Sequence, residues 1–190
     1  MITVGDVMNM RAFDSIWLAT PCDGAAAREV TGVGTLDHEP FTGGYEVFTS
    51  GEFVFTTLGF AGVHPDLAEG ALLALIECGV AAVAVKPVVL KELPPTVVQA
   101  SAARGVPGFF YEGRYMERVI ADLMNLLDDD AAEWERNHLI DLILAPSDEH
   151  AVRSTFFTIA GVTGATIQCL AIRPVTDDGA SLRALQKVVE

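Results

Sequence analysis

Between positions 52 and 112, seven polar residues are candidates for reading a ligand: Glu52, Thr56, Thr57, His64, Lys86, Tyr111 and Glu112. Two hydroxyls, one ammonium and one phenol can read a small polar heterocycle by hydrogen bonding, with Glu52 an acceptor rather than a base. Bond-breaking chemistry asks for more than this. Neither the phosphate-loop pattern G-x-x-x-x-G-K-[ST] nor the nucleophile pattern G-x-S-x-G occurs. Gly32-Val33-Gly34 lacks the third glycine of a dinucleotide fingerprint and reads as a turn or bulge. His38, His64, His138 and His150 have no metal-ligand spacing, and no base can be placed beside Ser50, Ser101 or Cys78. The expectation is a binding protein, not an enzyme, with no cofactor and no metal.

The elements that must position these side chains alternate in period. The stretch TSGEFVFTTLGF, from Thr49 to Phe60, passes from a Ser-Gly-Glu turn into an extended run ending on two threonines. Pro65 then opens a helix with Leu67, Ala71, Leu72, Leu75 and Ile76 on one face, closed by Gly79. Val80 to Val85 is apolar throughout, as a strand covered on both faces must be. A second helix runs from Thr96 to Arg104, and VPGFFYE supplies a further strand. Strands joined by short right-handed crossovers make an α/β fold with a mainly parallel sheet and flanking helices. Upstream, Thr3 and Asp6 have capping-box spacing before a short helix, SIWLAT and VTGVGTL read as strands, and GYEVF as a short extended piece.

In such a sheet ligands sit beyond the carboxyl ends of the parallel strands. Thr56, Thr57, Lys86, Tyr111 and Glu112 then emerge on one edge, with the N-terminus of the helix that follows His64 pointing at it. The plainer alternative is that the threonines end a β-branched strand, Lys86 is a solvated strand end and Glu52 anchors a turn.

Met116, Val119, Ile120, Leu123 and Leu127 define an amphipathic helix that packs either on the sheet or on a second copy; in the second case Val119, Ile120 and Leu123 are the dimer contact. The acidic run DDDAAE after it is read as a break, dividing the chain into residues 1–127 and 128–190. The second part holds two predicted helices, one candidate strand (TIQCLAIRPV) and a helix from Ser181 to Val189, an incomplete α+β segment. A lone strand cannot satisfy its own edges.

The 190 residues carry a formal net charge of −14, which excludes nucleic-acid binding through this chain, since that binding depends on Lys and Arg neutralising phosphates. No apolar window reaches the length of a membrane span, and the N-terminus lacks a secretory signal, so a cytoplasmic location is expected. Cys22, Cys78 and Cys169 are odd in number and far apart, which fits buried thiols rather than a disulfide framework.

In order along the chain, Thr3-x-x-Asp6, REV at Arg28, SGEFVFTT, ECGVAAVAV, ELPPTVVQASAARGVPGFF and RYMERVIADLMNLL resemble the N-terminal domain of PucR-type transcriptional regulators, the purine catabolism regulatory family, from Ile2 to about Leu127. NHLIDLILAPSDEH, TIQCLAIRPV and SLRALQKVV resemble the opening of that family's GGDEF-like middle domain, which lacks cyclase chemistry. The resemblance implies a sensory domain for a purine-related metabolite, in a homodimer that contacts DNA only through a C-terminal helix-turn-helix missing from these residues. After the paired threonines the family tends to go straight to glycine; here Leu58 precedes Gly59.

Overall fold

The computed structural model describes residues 1–113, 115–144 and 149–161, and the chain divides into two compact units, Met1–Glu135 and Arg136–Glu190. In the first, strands β1 (Phe13–Leu18), β2 (Gly32–Thr35), β3 (Glu52–Thr56), β4 (Ala82–Val85) and β5 (Gly108–Gly113) form one sheet in the order β1-β5-β4-β3-β2. β2 to β5 are parallel, and β1 runs antiparallel to β5 on the outer edge.

Helices cover both faces. On one, α3 (Pro65–Cys78) and α4 (Pro95–Arg104) bury Leu72, Leu75, Ile76 and Val97 against Val54, Val83, Val85 and Phe110. On the other, α1 (Val4–Met8) and α5 (Met116–Leu144) bury Val4, Val7, Val119 and Leu123 against Phe53, Phe55, Phe109 and Tyr111. The period-2 alternation of β3 and β5 assigns neighbouring residues to opposite layers, which is why both strands are apolar at every central position.

Local signals set the boundaries. Thr3 and Asp6 form a reciprocal capping box at the start of α1. α3 and α4 each begin on proline and end at a glycine in the left-handed region, Gly79 at φ 76° and Gly105 at φ 66°. A short α2 (Glu39–Thr42) follows β2.

Three local expectations are corrected. Gly32-Val33-Gly34 is neither turn nor bulge but regular strand, paired in unbroken register with Glu52 to Val54. Space there is tight, since a Cβ on Gly34 would stand 3.1 Å from Glu52 Oε2 and 3.3 Å from the Phe48 ring, so that both side chains would have to give by a few tenths of an ångström. Tyr45–Val47 within GYEVF is a 3-10 turn rather than an extended piece. DDDAAE does not interrupt the helix, since α5 runs through it; the segment contains no Gly or Pro, and its alanines and glutamate favour helix, while the division into two units falls just after it, between Glu135 and Arg136.

The second unit contains the end of α5 and α6 (Glu149–Ala160). TIQCLAIRPV and the helix expected from Ser181 lie outside the described residues. Among the described residues no helix is long and apolar enough to cross a membrane.

Candidate functional site

β3 ends at Thr56, β4 at Val85 and β5 at Gly113, so the carboxyl edge is built from the residues just beyond them. Lys86 follows β4 directly. Its amide donates to the Thr56 carbonyl at 2.8 Å, which carries the β3–β4 ladder one step past the strand. Its ammonium donates to the Gly113 carbonyl at 3.3 Å, fixing a half-buried cation between the ends of β4 and β5. There an open cleft of about 570 Å³ is lined by Lys86, Gly113, Tyr115 and Arg118. The cations come from different elements, one from a strand end and one from the first turn of α5.

The other predicted residues separate. Thr56 is fully buried, donates to the Leu36 carbonyl at 2.9 Å and accepts the Leu58 amide at 3.0 Å, so its hydroxyl is spent on the fold. Thr57 is half-buried at the same edge, with its hydroxyl against Gly59. His64 is exposed, and its ring meets Phe41 edge-on at 5.5 Å, in a group with His38 and Phe60 around Phe41. Neither His64 nor Thr57 lines the cleft.

Tyr111 points beneath α5, in the layer of Phe13 and Phe55, not into the cleft. Its hydroxyl has no hydrogen-bond partner among the described residues, and burial, with the Glu117 charge adding to it, pushes its pKa up to about 12. Glu112 is exposed on the β1 side, where it accepts from the Ser15 hydroxyl at 3.4 Å. Glu52 lies at the opposite end of β3 from Thr56, roughly 13 Å away at the rise of a strand, and accepts from the Thr49 hydroxyl at 3.0 Å. It anchors the turn that enters the strand.

The dimer contact expected from Val119, Ile120 and Leu123 is corrected as well. Val119 and Leu123 are fully buried inside the chain's own core and Ile120 packs against the same cluster, so this face of α5 is already covered by the sheet.

Tyr115 and Arg118 were not foreseen as site residues. A signal for Arg118 was present: a cation in the first turn of a helix opposes the helix dipole. Two thiols are unsuited to nucleophilic work, since burial pushes both Cys22 and Cys78 up, away from the thiolate. No group of His, Cys, Asp and Glu among the described residues can hold a metal ion. A second cavity, a gap of about 10 Å³ between the sheet, α3 and α4, is about the size of one water.

The chain matches no family model, no curated protein and no solved structure.

Proposed function

We propose that the first unit is the ligand-sensing, oligomer-forming input region of a PucR-type transcriptional regulator, responding to a metabolite of purine or nitrogen catabolism. The observation that supports this most is the cleft at the carboxyl ends of β4 and β5, with Lys86 held at its base. Parallel sheets take ligands at this edge, and the side chains gathered there bind rather than transform. In such a regulator, DNA contact belongs to a separate helix-turn-helix domain.

A thermal-stability screen of the chain against purines, ureides and related nitrogen metabolites tests the reading. A ligand bound only by the native state adds about 2.7 kcal/mol at a hundredfold excess over Kd. A reproducible rise with one compound supports sensing; no rise across the panel overturns it.

A second reading, a dimerisation scaffold without a small ligand, is favoured by the exposed apolar side chains along α5: Met124, Trp134, Ile140 and Leu142. Val119 and Leu123, by contrast, are taken by the chain's own core. Sedimentation that stays monomeric at high concentration removes it.

A further inference from the structure

We infer that the Lys86–Arg118 cleft takes a small organic anion, with carboxylate or phosphate oxygens held between the ammonium and the guanidinium. The inference rests on the sensing reading and names the chemical class of its ligand.

Composition runs against such a cleft. The chain has 26 acidic residues and only 12 Lys and Arg, yet two cations and no carboxylate line the cleft among the described residues. No carboxylate is paired with Arg118 among the described residues either. An acidic protein repels anions at long range, so local positive potential must be assembled where an anion is to bind.

The placement of each cation adds to this. Arg118 is the third residue of α5, where the aligned amides already carry partial positive charge. A cation there works against the helix, and an exposed position gives it no packing in return. A residue that breaks a local rule without local compensation marks function. The acid suited to that turn is Glu117, whose charge is felt by Tyr111 beneath the helix. Lys86, for its part, is held by the Gly113 carbonyl instead of trailing into solvent. An anion entering the cleft meets one fixed ammonium, one guanidinium able to bind two oxygens at once, and the exposed ring of Tyr115. This differs from recognition of a neutral heterocycle by hydroxyls, because Thr56 is spent on the fold and Tyr111 is covered.

Calorimetric titration of the full chain at low salt, with inorganic phosphate, malonate and urate beside neutral hypoxanthine and allantoin, tests it. Saturable binding of at least one anion is expected, weakened tenfold or more in Lys86→Gln and in Arg118→Gln, weakened less in Arg118→Lys, which keeps the charge but loses the two-oxygen fork, and unchanged in Arg104→Gln. Circular dichroism melts of the variants confirm that each is folded. Binding of a neutral compound without any anion overturns the anion assignment and leaves sensing standing. Anion binding that is equal in wild type, Lys86→Gln and Arg118→Gln overturns the site. Binding of none of the five overturns the anion assignment, and the wider metabolite panel then decides sensing separately.

Discussion

The Thr56 hydroxyl accepts the amide of Leu58 at 3.0 Å and so holds a fully buried leucine at φ 49°, in the left-handed region. The same hydroxyl donates to the Leu36 carbonyl at 2.9 Å, tying the chain beyond β2 to the turn after β3. Valine keeps the shape of threonine but leaves a buried amide and a buried carbonyl without this partner, at about 1–3 kcal/mol. Thr56→Val is therefore expected to lower stability by about 2–3 kcal/mol, seen as a lower denaturant midpoint at constant slope. Thr57→Val, at a half-buried position with no such tie, should move it by less than about 0.5 kcal/mol. Equal effects at the two positions would remove the hydroxyl from its role.

Arg28 plays a comparable part at the other end of the sheet. Its Nε donates to the Ala81 carbonyl and its Nη2 to the Val80 carbonyl, each at 2.9 Å, securing the entry to β4. Lysine keeps the charge but cannot offer two donors in a fixed fork. Arg28→Lys is expected to cost about 1.5–3 kcal/mol, the range for hydrogen bonds to a charged group. Hydrogen exchange should quicken at Val83 and Ala84 if the entry loosens; protection unchanged there would mean that the strand holds without the arginine.

The order and types of the central elements were legible because several kinds of signal coincide. Pro65 and Gly79 bracket α3, Pro95 and Gly105 bracket α4, and the continuous apolar runs between them demand a sheet covered on both faces. The odd residue at Leu58, where the resembled family tends to have glycine, falls on the one non-glycine position with positive φ among the described residues. What the sequence could not convey was direction. Tyr111 and Lys86 both approach the carboxyl edge in sequence, yet period-2 alternation turns Tyr111 under α5 while Lys86 stays at the edge. Glu52 sits at the opposite end of its strand, so nearness to Thr56 along the chain is distance in space. Arg118 entered the cleft only through the packing of α5, which brings the start of that helix beside the end of β5.

Leu123 separates intrachain packing from dimerisation. It is fully buried among Val119, Phe109 and the aromatic layer of the sheet. Leu123→Ala should destabilise the chain by about 2–5 kcal/mol, as large-to-small changes in cores do. The loss should be the same at every protein concentration, because the cavity forms within one chain. A loss that shrinks as concentration rises would instead place Leu123 between copies.

Tyr111 makes the opposite kind of prediction, a substitution that stabilises. Its hydroxyl is buried and without a hydrogen-bond partner among the described residues, so folding strips it of water and returns nothing. Tyr111→Phe keeps the ring in its edge-on contacts with Phe13 and Phe55 and is expected to raise stability by about 1 kcal/mol at neutral pH. The pH dependence follows from the raised pKa. Unfolded, the phenol loses its proton near pH 10; folded, burial holds the proton on until about pH 12. Between those values the unfolded chain binds fewer protons than the native one, so wild-type stability falls as pH rises through that window. The phenylalanine variant lacks this contribution, and its advantage over wild type should widen from pH 10 upward. Denaturant midpoints of the two proteins at pH 7, 9, 10 and 11 measure this, and parallel curves would mean that Tyr111 titrates normally and that water reaches its hydroxyl in solution.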